Sequence, residues 1–330
     1  MPTISAARHV AQWKAVSCHR SPNERSLRLY GAAREKELVP ELRLFQSFLR
    51  SALLTPTRLL PMKTLSGFCA ALLLFLPLNS SAQVNSGSNG SDGALNPTAN
   101  LVINMADHPD GIYHYTSVNI PAGVTVSFLP NAGNKPVVWL VQGDCVIGET
   151  VDVAGKDAVG ATGGNGGPGG WRGGSAGSPT PQRGEGPGGG SGGSKYHGTY
   201  GGWPYSTGPD PVAGSYASLG SNAPADRIYG NTFVLPLLGG SGGGGWIVSY
   251  SGSATSYGSG GGGGAILIAS SGAIINDGNI NASGGNGGSG SNGGSGGGVR
   301  LIASNFRGSG VGAVNANGRS GGGAGRIRID

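Results

Sequence analysis

Two serine motifs have the spacing of a catalytic nucleophile turn. Residues 189–193 and 239–243 both read G-x-S-x-G, the pattern that presents a nucleophilic serine between a buried strand and a helix. Neither motif is followed by a helical pattern, and no histidine that could act as general base occurs after His197. Because the chain contains 68 glycines, such matches arise from composition alone. The sequence therefore predicts no catalytic serine.

Two further segments carry the letters of metal or acid–base sites. Residues 277–281 begin like a calcium loop, but Ala282 and Gly288 stand where that loop needs its glycine and its closing glutamate. Residues 107–111 read Asp-His-Pro-Asp-Gly, with His114 nearby, and a Pro-Asp-Gly turn explains these letters more simply than a functional cluster. We therefore predict no metal site and no cofactor.

Four acidic residues form the only concentration of carboxylates after residue 82. Glycan-cleaving enzymes need two or three carboxylates that converge on one bond. The odd and even spacing of these four residues on short strands places them on different faces. We expect no enzymatic activity, with a β-helix polysaccharide lyase or hydrolase as the alternative. The acids in question are Asp144, Glu149, Asp152 and Asp157.

Aromatic residues are the stronger functional signal. Of the 16 Trp, Tyr and Phe residues from Gln83 onward, 11 lie between residues 158 and 264. Planar rings on polar loops suit stacking against sugars, whereas the alternative is that the rings pin the glycine-rich loops together. The candidate glycan-stacking residues are Trp171, Tyr196, Tyr200, Trp203, Tyr205, Trp246 and Tyr250.

A secretory signal peptide is predicted at residues 62–82. It starts at Met62, continues with an apolar run over residues 68–78, and ends in small residues, so cleavage is expected between Ala82 and Gln83. The run is short for a membrane span, which needs about 20 residues, and a retained anchor is the alternative. Residues 1–61 are interpreted as a non-native upstream extension or a cytoplasmic tail. We expect a bacterial protein that is secreted or held at the outer cell surface.

The part after the predicted cleavage site has a nearly balanced charge. It holds 11 Lys and Arg against 12 Asp and Glu, a net charge of −1. This balance argues against nucleic-acid binding, which needs a basic surface. We also expect no membrane span there. Cys145 is its only cysteine, so no internal disulfide can form, and a buried small hydrophobe is the predicted role.

Composition divides this part of the chain into four zones. They are a flexible leader (83–99), a first β-strand module (100–157), a Gly- and aromatic-rich insert (158–264) and a set of repeat strands (265–330). Strand-type runs bounded by turn residues mark the first module. They lie at 118–121, 124–128, 137–141, 145–147 and 151–153.

An internal repeat indicates stacked units. The segment from Ala265 matches the segment from Val299 at an offset of 34, which aligns Leu267 with Leu301 and Asn281 with Asn315. Each unit is strand, turn, strand and glycine-rich excursion, and such a unit buries its apolar side only by stacking. In the strand, Val299 and Leu301 should face one way. The prediction is an all-β parallel β-helix or β-solenoid, with a β-sandwich carrying a Gly-rich insert as the alternative.

The units resemble those of right-handed parallel β-helix proteins exported by bacteria, including haemagglutinin-type and autotransporter-passenger repeats. The chain also looks like a group of Gly-rich exported bacterial proteins that end in GGxGRIRI. The resemblance covers roughly residues 92–330, and its most specific parts are SVNIPAGVTVSF, AILIASSGAI and GAGRIRID. It implies an exported β-solenoid and supplies no activity.

These observations together predict a structural or adhesive protein that contacts glycans, a cell surface or extracellular matrix without catalysis. A passive matrix or filament subunit is a further alternative to the enzyme named above. In that case the C-terminal GRIRID strand would be an open edge for self-association.

Overall fold

The described residues are all-β in the computed structural model, with 35% of them in strands and 3% in helices. The structure describes residues 84–177, 180–200, 203–250, 253–308 and 312–330, and for residues 200 and 203–205 it describes the backbone alone. The predicted extension (1–61), signal peptide (62–82) and cleavage site (Ala82, Gln83) lie outside the described residues. Among the described residues, no helix is long and apolar enough to cross a membrane.

The described part of the chain forms seventeen strands and two short 3-10 helices, Met105–Asp107 and Ala225–Arg227. In chain order the strands are β1 Ala94–Leu95, β2 Leu101–Asn104, β3 Ile112–Tyr115, β4 Ser117–Ile120, β5 Val126–Leu129, β6 Val137–Val141, β7 Cys145–Ile147, β8 Thr150–Asp152, β9 Gly193–Tyr200, β10 Trp203–Thr207, β11 Trp246–Tyr250, β12 Ser253–Tyr257, β13 Ala265–Asn276, β14 Asn279–Asn281, β15 Gly298–Arg307, β16 Ala313–Asn315 and β17 Arg326–Ile329.

Two parallel sheets contain the strands that the sequence predicted. The first has the order β1-β4-β7-β13-β15-β17, and β3 and β6 join it at β13. The second has the order β2-β5-β8-β14-β16. The chain alternates between the two sheets, and each strand pairs with the strand that follows one repeat later. Residues 84–93, placed in the leader, run along the first sheet, where Asp92 N–H donates to the His114 carbonyl.

The core lies between these two sheets and consists of columns of apolar side chains. Paired residues of parallel strands share a face, so Val137, Ile266 and Val299 form one column and are fully buried. The expected inward orientation of Val299 and Leu301 is confirmed, since neither is exposed. Cys145 is also fully buried, and burial together with the nearby Asp144 carboxylate raises its pKa to about 12.

The predicted repeat offset of 34 is wrong for the first strand of the repeat and correct for the second. Ile268 pairs with Leu301 at an offset of 33, whereas Asn281 pairs with Asn315 at an offset of 34. A register shift lies between Ser270 and Ala273. The alignment of identical residues in the two repeats instead matches Ile268 with Ile302. A shift of one residue moves a side chain to the other face of a strand, and of Leu301 and Ile302 only Leu301 faces the core.

The glycine-rich segments are ordered and pack against one another through their backbones. Along residues 258–264, backbone N–H groups that are three residues apart donate hydrogen bonds to carbonyls of the same neighbouring segment. The bonds run from residues 258, 261 and 264 to segment 153–160, from residues 259 and 262 to segment 171–174, and from residues 260 and 263 to segment 292–295.

The carbonyls of residues 258–263 accept bonds from three more segments, 164–167, 240–243 and 285–288. A period of three without internal hydrogen bonds is the geometry of the polyproline II helix. Residues 258–264 therefore form one such helix at the centre of six neighbours. We call this packed region, which spans residues 153–177, 180–193, 208–220, 239–245, 258–264, 282–297 and 316–325, the glycine bundle.

Close backbone approach explains why the bundle needs glycine. A Cβ atom on Gly262 would overlap the Gly240 carbonyl oxygen, and one on Gly297 would overlap that of Gly264. Removing the side chains allows N–H and C=O groups of adjacent segments to pair in place of strand ladders. The high glycine content of the chain thus builds a second kind of packing beside the side-chain core.

A third, four-stranded sheet is built on the glycine bundle, with the order β10-β9-β11-β12. It consists of two antiparallel hairpins, β9–β10 and β11–β12, joined by parallel pairing of β9 with β11. Both hairpins leave the bundle and return to it. The sequence predicts loops of the glycine-rich insert at these residues, whereas the structure forms strands there. We call this element the hairpin sheet.

Candidate functional site

The hairpin sheet presents a stacked pair of rings on one of its faces. His197 of β9 lies opposite Tyr250 of β11, and their rings stack with centroids 4.7 Å apart and an interplanar angle of 9°. Tyr250 is 58% exposed. Such a pair offers a flat surface with polar edges to solvent, which suits contact with a sugar ring.

Two more aromatic residues lie on the same face. Trp246 and Tyr250 are four residues apart on β11 and therefore share one face of the strand. Tyr257 of β12 lies opposite Trp246, and the centroids of these two rings are 6.1 Å apart. Trp246 is half-buried and packs beside Gly290, while its indole Nε1 is buried without a hydrogen-bond partner. We call the face that bears His197, Trp246, Tyr250 and Tyr257 the ring face.

Charged groups border the ring face. Lys195 lies two residues before His197 on β9 and therefore shares this face. Its Nζ lies 2.6 Å from Asp210 Oδ1, and the Asp210 side chain is 51% exposed. The ring face therefore combines planar rings with hydrogen-bonding groups of both signs, the mixture that sugar hydroxyls and ring faces require.

Tyr196 lies on the opposite face of the hairpin sheet, because it is adjacent to His197 in the strand. It is 39% exposed. For Tyr200, Trp203 and Tyr205 the structure describes the backbone pairing of β9 with β10, and their side chains lie outside the described part of the chain. The seven candidate residues therefore do not form one site.

Trp171 packs inside the glycine bundle. Its ring makes an edge contact with Tyr229 at 5.9 Å, and Tyr229 stacks on the fully buried Tyr216 at 4.6 Å. The Tyr229 hydroxyl donates to the Gly239 carbonyl, and burial raises the pKa of this phenol. For Trp171 the geometry favours the alternative in which rings pin the glycine-rich segments together.

The four acids of the enzyme alternative all make contacts that hold loops in place. Asp144, Asp152 and Asp157 accept hydrogen bonds from Ala273, Asn281 and Asn286 respectively, each 129 residues further along the chain. The carboxylate of Glu149 accepts the backbone N–H of Gly123. Because three of these bonds span the same 129 residues, they connect the unit of β6–β8, and the segment that follows it, to the unit after the insert.

The other sequence motifs also have structural partners. Gly111 N–H donates to the His108 carbonyl and Gly111 has a positive φ, which confirms the predicted Pro-Asp-Gly turn. Ser241 is fully buried, and its hydroxyl bonds the Tyr229 hydroxyl and the Gly188 N–H. Among the described residues, no group of three or more His, Cys, Asp or Glu side chains could hold a metal ion.

A groove of about 390 Å³ was not predicted. It lies where the strand ends of the second sheet meet the glycine bundle, so its lining combines residues distant in sequence. Its charged lining residues are Asp152, Lys156, Arg172 and Glu185. The Asp152 and Lys156 side chains lie 3.7 Å apart.

No family model matches the chain, and no curated protein or solved structure is similar to it. Its function must be argued from its own geometry. Sequence reasoning found Tyr250 and Trp246 but missed their partner His197, because the strands that bring them together were read as loops. The alternation in Trp-Ile-Val-Ser-Tyr at 246–250, a run of β-prone residues, was the available signal.

Proposed function

We propose that this chain is an exported, adhesive β-solenoid that contacts glycans of a cell surface or matrix through the ring face. The stack of the exposed Tyr250 ring on the half-buried His197 ring carries the proposal, because it leaves aromatic surface in contact with water that the core does not bury. The solenoid is supported by two parallel sheets whose strands follow each other alternately along the chain. Export rests on the signal peptide expected at 62–82.

The engaged carboxylates support a role without catalysis. Asp144, Glu149, Asp152 and Asp157 all accept hydrogen bonds from other parts of the chain, as described above. A catalytic pair needs carboxylates that are available to the substrate.

Binding to insoluble polysaccharides tests the proposal. Purified full chain is mixed with a panel of polysaccharides, and both depletion of protein and release of reducing sugar ends are recorded. We expect depletion without sugar release. The double variant His197→Ala/Tyr250→Ala should weaken binding by about tenfold or more, because it removes the stacking surface.

Phe233→Ala is the matched control, since Phe233 is a ring of similar exposure (59%) that lies outside the hairpin sheet. It should bind like the unmodified chain. Equal binding by the double variant would contradict the ring-face assignment. Release of sugar ends would instead favour the enzyme alternative and direct attention to Asp152 and Glu185 in the groove. The absence of both responses would leave a passive structural role.

The export proposal has a separate test. Protein recovered from the medium of expressing cells is expected to begin at Gln83 by mass spectrometry. A product that stays in the membrane fraction with residues 62–82 attached would support the retained anchor instead.

A further inference from the structure

The core columns end in exposed side chains at one end of the stack. Ile327 continues the column of Val137, Ile266 and Val299, yet it is 45% exposed where those three are fully buried. Ile329 continues the column of Trp139, Ile268 and Leu301 and is 52% exposed. These two isoleucines face the interior of the stack, and no other described strand pairs with β17 on its outer side.

Two other columns end in the same way. Phe306 follows Ile274 in the first sheet and is 41% exposed, and Val314 follows Ile280 in the second sheet and is half-buried. We call the set formed by Phe306, Val314, Ile327 and Ile329 the tail surface.

The opposite end of the stack has a matching apolar surface. Leu95 of β1 and Leu101 and Ile103 of β2 pack against the core but remain half-buried. The outermost strands of the second sheet are β2 at this end and β16 at the tail. We call Leu95, Leu101 and Ile103 the head surface.

Backbone groups at both ends point outward. Arg326 N–H donates to the carbonyl of Gly297, just before β15, and Asp330 N–H donates to the carbonyl of Leu301 in β15. By alternation, the N–H groups of Ile327 and Ile329 point away from β15. Leu101 N–H donates to Thr125, so the N–H of Val102 points away from β5. Outward-pointing backbone groups are a template for strand pairing with another chain.

The two ends also carry opposite charge. Residues 84–134 contain three Asp and no Lys, Arg or Glu, a net charge of −3. Residues 298–330 contain five Arg and one Asp, a net charge of +4. Asp107 and Asp110 near the head and Arg307 and Arg319 near the tail are exposed. Tail-to-tail contact would bring like charges together, whereas head-to-tail contact pairs opposite charges.

We propose that copies of this chain associate head to tail, with the tail surface of one copy against the head surface of the next. A second copy fits this position because it presents strands with the same direction, apolar side chains toward the same core and the complementary charge. The contact is heterologous and does not close on itself, so it produces open chains of copies. This inference is independent of the proposed glycan contact.

Sedimentation velocity of the full chain tests the proposal. We expect species larger than one copy that increase with protein concentration and decrease as salt rises from 0.05 to about 1 M, because salt screens the opposite charges of the ends. The tail variant Ile327→Asp/Ile329→Asp should weaken association by about tenfold or more, because it places charge on the apolar contact. Val159→Asp, at a 79% exposed position away from both surfaces, is the control.

A mixing experiment distinguishes head-to-tail from tail-to-tail contact. Val102→Pro removes an outward-pointing N–H of β2 and should block the head without loss of an internal bond. Each variant alone should stay a single copy, whereas a mixture of the tail variant and the head variant should form pairs and nothing longer, since one intact contact remains.

Three results would overturn the proposal: a full chain that remains a single copy at low salt and high concentration, a tail variant that associates like the unmodified chain, or a mixture without pairs. If the tail variant fails to fold by circular dichroism, Arg307→Glu/Arg319→Glu replaces it, since both side chains are exposed, and the same weakening is expected. The tail variant keeps His197 and Tyr250, so the polysaccharide assay separates a failure here from a failure of the proposed function.

Discussion

The paired sheets and the glycine bundle solve the same packing problem in opposite ways. In the sheets, side chains such as Ile266 and Val299 stack into columns and exclude water between the sheets. In the bundle, residues such as Gly262 have no side chain, and the segments meet backbone to backbone. The first mode has a period of two along the chain and the second a period of three. The described glycine-rich segments are therefore ordered without a larger apolar core.

The largest expected effect tests the backbone packing of the bundle. Gly262→Val places a side chain where the Gly240 carbonyl lies, so neighbouring segments must separate. We expect a loss of about 4 kcal/mol or more in the free energy of unfolding, measured by urea denaturation.

Gly177→Ala is the matched control, because a Cβ there contacts only the Thr180 carbonyl at an ordinary distance. The control should change stability by no more than about 1 kcal/mol in either direction. A Gly262→Val chain that is as stable as this control would show that the bundle does not depend on close backbone approach.

A smaller effect is expected from the side-chain columns, and it should depend on position within one column. Ile268→Ala leaves a cavity between buried neighbours and should cost about 2–5 kcal/mol in the free energy of unfolding. Ile329→Ala changes a 52% exposed side chain in the same column and should cost less than about 1 kcal/mol in dilute solution. Similar losses at both positions would contradict the column arrangement.

The smallest effect concerns the buried thiol in the side-chain core. Burial raises the pKa of the Cys145 thiol from its ordinary 9.0 to about 12. Between pH 9.0 and about 12 the thiol is therefore deprotonated in the unfolded chain but still protonated in the folded chain. The folded state then binds more protons than the unfolded state, and stability falls as pH rises through this window by up to about 1.4 kcal/mol per pH unit.

Urea unfolding at pH 8, 9 and 10 measures this slope. Cys145→Ala should lower the overall stability but flatten the decline between pH 9 and 10. Equal slopes in the two chains would show that the thiol is not shielded from water in the folded state.

The sequence predicted the side-chain region well and the backbone region poorly. The apolar runs at 137–141 and 145–147 are strands with the predicted bounds, because alternation of apolar residues reports burial directly. Glycine has no side chain to report burial, so nothing local indicated that Gly260 and Gly263 bond to a segment some 30 residues away. The candidate site was predicted only in part for the same reason. Tyr250 was identified, but its stacking on His197 depends on a strand pairing across more than 50 residues.

Hydrogen exchange of the glycine amides in residues 258–264 is the most direct test of the ordered bundle that supports the hairpin sheet. If the account is right, these amides exchange as slowly as those of β13, because each N–H is bonded to a neighbouring segment. Exchange at the rate of an unfolded peptide, while β13 remains protected, would contradict it.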